Sequence, residues 1–255
     1  MVARRDSCFD RVNEGEAFKL GISPIRVRGH TPMARIPRRE VLDPHEVAVA
    51  HAFSRTVRQC FLLGKDRNSG KDYDYRKDWI EDLLEHFAAH FGIDLIAFAI
   101  LSNHYLLILR SRPDVVNTWT DIEVARRWMM ICPLRKKDGK AEQPTTAEID
   151  AIRNDPAKLH EIRTRLSDIS WWMRLLNQRI AQRSNKEDGV SGHFFEDRYK
   201  AVRLLDEASV LACSAYVDLN PIRAALAENL VGSKHTSAQR RAISSASRRK
   251  AAAKH

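Results

Sequence analysis

Residues 93–110, IDLIAFAILSNHYLLILR, decide the fold. Two short apolar runs rich in Ile, Leu and Phe flank Ser102-Asn103, which predicts two strands joined by a tight turn. Alternate side chains of a strand lie on opposite faces. His104, Leu106 and Ile108 therefore share one face, and Tyr105, Leu107 and Leu109 the other. A lone histidine on an apolar strand is by itself more often a hydrogen-bonded core residue than a ligand, so its role depends on what surrounds it.

Upstream, WIEDLLEHFAAHFG has apolar residues at 79, 80, 83, 84, 87 and 91, the pattern of an amphipathic helix, and Gly92 stands where glycine commonly closes a C-terminus. Before it, VAVAHAFSRTVRQCFLL from Val47 has strand composition, with His51, Phe53, Arg55 and Val57 on one face. Strand, helix, strand, strand is the first half of a ferredoxin-like fold, so the class expected is α+β, an antiparallel sheet with packed helices.

The stretch after Pro113 is too long for a plain loop. Thr120 and Thr145 each stand three residues before a glutamate, the capping-box signature, so 113–165 reads as a helical insertion. Its Arg126, Arg127, Arg135, Lys136 and Lys137 are either a solvated face or a contact for an anionic partner. Asp155-Pro156 opens a helix that reaches Asn185, with a break expected near Ser167 to Ser170. Trp172, Leu175, Leu176 and Ile180 form its apolar stripe, while Arg174, Arg179 and Arg183 gather on other faces. Further on, Asp206 caps a helix through Leu219, and Asn220-Pro221 is expected to stop it and start another helix, IRAALAE.

The 255 residues carry a net charge of +10, and seven positive charges with no acidic residue follow Glu228, leaving +3 for the rest. Residues 232–255 thus read as a basic tail, disordered or weakly helical, and residues 1–46, with Pro24, Pro32, Pro37 and Pro44, as an irregular N-terminal arm. No apolar run reaches the roughly 18 residues of a membrane span, and the N-terminus carries charges where a secretory signal would be apolar. A cytoplasmic protein with no membrane partner is the expectation. Cys8, Cys60, Cys132 and Cys213 are scattered, without the paired spacing of a zinc ribbon or disulfide framework.

Three stretches carry a resemblance: Leu101-Ser-Asn-His104, then Gly192-His193 through Arg198-Tyr199-Lys200, then Tyr216-Val-Asp-Leu-Asn-Pro-Ile-Arg-Ala224. In this order they resemble the HUH-type tyrosine transposases, in particular the REP-associated branch, over roughly residues 47–112 and 167–227. His51 and Arg55 fit the family's His-x-x-x-Arg strand, and Asn185 before Gly192-His193 fits the run-in from its nucleophile helix. Two departures are plain. Leu106 replaces the second motif histidine, and Ile180 to Arg183, where the nucleophilic tyrosine belongs, contains no tyrosine.

The resemblance implies a transposase-like domain over 47–231 acting in transposition on single-stranded or hairpin DNA, with a homodimer as one assembly it allows. If the protein cleaves DNA, an altered site would hold Mg²⁺ or Mn²⁺ through His104, His51 and a carboxylate such as Glu196, with no cofactor otherwise. DNA contact falls to Arg55, Arg174, Arg179, Arg183, His193, Arg198, Lys200 and Arg223. The catalytic residues stay open. A DNA-binding protein without strand cleavage, a metal-dependent nuclease or transposase with an altered site, and an RNA- or protein-binding ferredoxin-like module are the three readings.

Overall fold

The computed structural model describes residues 41–66, 69–137 and 140–252. The arm expected over 1–46 lies outside them except for its last six residues.

The sheet is built from β1 (Val49–Arg55), β2 (Ile93–Ile100), β3 (His104–Ser111) and β6 (Lys200–Leu204), in the order β2-β3-β1-β6 with every neighbour antiparallel. Helix α1 (Arg76–His90) connects β1 to β2, and α6 (Ile169–Asp188) precedes β6, which completes the ferredoxin-like α+β arrangement. Between β3 and α6 lie α2 (Pro113–Val116), α3 (Asp121–Ile131), the small β4–β5 hairpin (Lys136–Lys137 and Lys140–Ala141), α4 (Thr146–Arg153) and α5 (Pro156–Ser167). Thr120 accepts from the Glu123 amide, and Thr145 forms a full capping box with Glu148. The break between α5 and α6 falls at Asp168, whose side chain accepts from the Ser170 amide at 2.6 Å.

The alternation along β3 divides the core into two layers. On one side Tyr105, Leu107 and Leu109 pack with Ala50, Ala52, Phe87, Trp172 and Leu176 beneath α1 and α6. On the other, Leu106 and Ile108 pack with Ala97, Ala99 and Leu204 beneath Cys213 and Val217 of α7 (Glu207–Arg223). None of the described helices is long and apolar enough to cross a membrane.

Three local expectations need correction. Gly92 does not close α1 in a left-handed conformation; a Cβ there would come 2.0 Å from Val116 Cγ2, so glycine is required by close packing of the insertion. Helix α7 does not stop at Asn220-Pro221 but runs to Arg223, since a proline in the last turn removes only one helical hydrogen bond and its ring is buried. The tail expected from residue 232 as disordered or weakly helical is helical and docks on the sheet edge. Thr236 bridges to Ala99, the Ile100 amide donates to the His235 carbonyl at 3.0 Å, and α8 (Ser237–Ala252) follows. Arg240 reaches Glu81 and Glu85, and Arg241 reaches Asp218, so these charges anchor the segment along the exposed edge of β2.

Candidate nucleic-acid interface

The antiparallel register fixes where the two histidines lie. His104 is opposite Arg55 and His51 opposite Ile108, so both imidazoles share the α7 side of the sheet but are offset by four positions along it. At about 3.3 Å per residue this separates their backbones by roughly 13 Å. Among the described residues no group of three His, Cys, Asp or Glu side chains is placed to hold a metal ion. Leu106, between them on the same face, has no lone pair to offer. The two imidazoles still feel each other across the sheet, but among the described residues no third His, Cys, Asp or Glu stands with them to complete a ligand set.

The turn that precedes β3 orients His104. Asn103 Nδ2 donates to the Gln59 carbonyl at 3.3 Å, leaving Asn103 Oδ1 toward the imidazole Nδ1 at 2.7 Å. A carboxamide oxygen only accepts, so Nδ1 carries the proton and Nε2 presents its lone pair. Burial, aided by the Arg55 charge and by His51, lowers His104 to about 4. Burial alone lowers His51 to about 4, and its Nε2 is buried without a hydrogen-bond partner. Both rings are therefore neutral near pH 7.

Helix α7 brings a tyrosine to the same face. The Tyr216 ring stands edge-on to His51 at 6.1 Å between centroids. Burial raises its phenol, while a hydrogen bond from the Asn220 side chain and the Arg55 charge act the other way. Arg223 lies 5.7 Å above the Tyr216 ring, and Lys200 Nζ lies 6.0 Å from the Phe53 ring. Arg55, Lys200 and Arg223 thus ring a surface that has two neutral imidazoles and a phenol at its centre. The sequence placed Tyr216 in a shared motif without assigning it to the site. The signal for it was its spacing of four from Asn220, which puts both on one helix face.

The remaining tyrosines are placed elsewhere. Tyr105 is buried on the α6 side and donates to Asn177, which in turn donates to Ser54 Oγ at 2.9 Å. Tyr199 donates to Ser170 Oγ of α6 at 2.9 Å. Tyr73 and Tyr75 flank Arg76, with ring centroids 4.2 and 5.9 Å from its guanidinium carbon.

The sheet separates the expected DNA contacts into two groups. Arg174, Arg179 and Arg183 belong to α6, across the sheet from the histidines. Arg179 is turned inward: it donates to the Ile131 carbonyl and stacks 4.9 Å over Phe87, and burial lowers its pKa. It ties the insertion to α6 and is not a surface contact. Arg183 pairs with Glu187 at 3.0 Å and covers Trp79, and Arg174 lies 4.7 Å over Trp171. His193 and Arg198 are exposed in the loop before β6. That loop is laid against the end of β1, with the Val57 amide on the Phe194 carbonyl and the Glu196 amide on the Arg55 carbonyl. Asn185 closes it by donating to the Gly192 carbonyl at 2.9 Å. In the insertion, Arg127 is held by Glu123 and Arg135 by Glu142 and Glu148.

No protein-family profile matches the chain, and no curated protein does. Among solved structures it is similar to a REP-associated tyrosine transposase bound to a REP hairpin, at 9% identity and a TM-score of 0.42 over 76% of this chain and 78% of that one.

Proposed function

We propose that the protein is a transposase-like DNA-binding protein that takes single-stranded or hairpin DNA on the α7 side of its sheet, without metal-assisted strand cleavage. The observation that carries this is the convergence of Arg55, Lys200 and Arg223 around His51, His104 and Tyr216. Cations at the rim meet phosphates, and neutral rings at the centre meet bases or sugars at no cost in like-charge repulsion. The ordered motifs shared with the HUH-type tyrosine transposases support DNA as the partner. The offset histidines and Leu106 support binding without an ion. The test is a native gel with a labelled hairpin: binding should persist in chelator, weaken steeply with salt, and fall in Arg55→Ala/Arg223→Ala. Binding that disappears on chelation would overturn this reading.

Tyr216 favours a second reading, strand cleavage by a relocated nucleophile. Its phenolic oxygen would bond to phosphorus as the bond from phosphorus to a deoxyribose oxygen breaks. The phenol proton would pass to solvent, and the departing oxygen would be protonated by water. A covalent protein–DNA adduct on a denaturing gel, lost in Tyr216→Phe, would establish it.

A further inference from the structure

A cavity of about 570 Å³ opens where β2 turns into β3. Its position links it to the interface described above. Ser102 in its wall adjoins Asn103 and His104, and Pro221 adjoins Asn220, the partner of Tyr216. The cavity is thus next to the histidine face at two separate points of the chain.

The wall combines an aromatic ring, Phe61, with the apolar Ile100 and Pro221; Lys65 and Lys234 contribute cations, and Asp66 and Asp74 carboxylates, Asp66 being held by Ser69. Lys77 in the same wall is committed to Asp74 at 2.6 Å. Lys65 and Lys234 are exposed and, among the described residues, neither forms an ion pair. The volume falls within the range of about 300–1,000 Å³ usual for small-molecule sites and is far larger than a phosphate ion needs. An apolar, aromatic wall with two available ammonium groups suits a ligand with a flat ring at one end and a phosphate at the other. Ser233, Lys234 and His235 belong to the segment that leads into α8, so this side of the cavity exists because the C-terminal segment is docked on β2.

We propose that the cavity is a nucleotide site: it receives one unstacked nucleotide of the strand bound on the histidine face, with Phe61 against the base and Lys65 and Lys234 on the phosphates. This rests on the DNA-binding reading. A free nucleoside phosphate has the same chemistry, and the experiment separates the two sources.

The experiment uses the full chain, a hairpin with a single-stranded extension carrying 2-aminopurine at one position at a time, and dAMP alone. Variants are Lys65→Glu/Lys234→Glu, Phe61→Ala and Arg55→Ala/Arg223→Ala, each matched to the wild type by thermal melting. Both lysines are exposed, so their reversal leaves the fold intact. The expected result is one substituted position whose fluorescence changes on binding in a way that Phe61→Ala abolishes. Hairpin affinity should fall about tenfold or more in Lys65→Glu/Lys234→Glu. Hairpin binding that is unchanged in that variant, with no distinctive position, would overturn the cavity proposal while leaving the DNA-binding reading intact. Binding of dAMP that is lost in Lys65→Glu/Lys234→Glu, in a protein that binds no hairpin, would support a nucleotide cavity and overturn its assignment to a strand. Binding of neither probe would overturn both.

Discussion

On the α6 side of the sheet, polar groups are tied to one another: Tyr105 to Asn177, Asn177 to Ser54, Arg179 to the Ile131 carbonyl. On the α7 side an imidazole nitrogen of His51 is buried without a partner, His104 keeps a lone pair available, and three cations stand around them. Among the described residues the other buried groups without partners are the indole N–H of Trp79 and Trp172 and the hydroxyl of Ser184, none of which titrates near neutral pH. What separates the faces is the kind of group: the α7 side holds two neutral imidazoles, whereas the unpartnered groups on the α6 side are indoles and a hydroxyl. The kind of group locates function better than the number of arginines on a helix. Arg174, Arg179 and Arg183 form the denser cluster in sequence, yet they meet aromatic rings, a carbonyl and the Glu187 carboxylate of the protein itself.

The contrast can be broken most strongly at Arg76, which supports α6 from α1. Its side chain is fully buried between Glu187 and Asp188, at 3.3 and 2.6 Å. Arg76→Ala leaves Asp188 without its cation and Glu187 with Arg183 alone, and should cost about 3 kcal/mol in a urea melt. The next effect belongs to the histidines. Each has a folded pKa of about 4 against an ordinary 6.5, so the unfolded chain binds more protons between those values. Stability is fully present above pH 6.5 and is lost as pH falls toward 4, by up to about 3 kcal/mol per histidine. His51→Phe should flatten that part of the stability profile, and an unchanged profile would show that His51 is not buried as described.

Smaller effects sharpen the comparison. Arg55→Ala or Arg223→Ala should each weaken hairpin binding several-fold and reduce the slope of log K against log salt by about 0.7, while leaving the melting curve near that of the wild type. Tyr216→Phe removes the phenolic oxygen that meets Asn220 and should cost about 1 kcal/mol of stability, with DNA affinity nearly unchanged. A large loss of affinity in Tyr216→Phe would instead place the phenol in direct contact with the strand.

The elements of the fold were legible where the signals were local. Alternation around His104, the periodicity of residues 79–91, and the capping threonines at 120 and 145 each depend on a few neighbouring residues, and the structure places strands and helices there. Face membership was also legible, since parity puts His51 and His104 on the same side. Register was not. The four-position offset between them is set by pairing between β1 and β3, which are distant in sequence, and no local pattern encodes it. The same limit explains Arg179, whose burial depends on the insertion folding over α6, and the tail, whose basic composition concealed three arginine–carboxylate contacts with α1 and α7. Gly92 shows the converse. The glycine was visible, but its reason, the Val116 side chain, came from another part of the chain.

The most direct test of the difference between the faces is hairpin affinity as a function of salt for two variants, Arg55→Ala/Lys200→Ala/Arg223→Ala and Arg174→Ala/Arg183→Ala. The first should lose affinity at least about a hundredfold at low salt and about two units of salt slope, while the second stays within about threefold of the wild type. Loss confined to the second variant would put the nucleic acid on α6 and contradict the account.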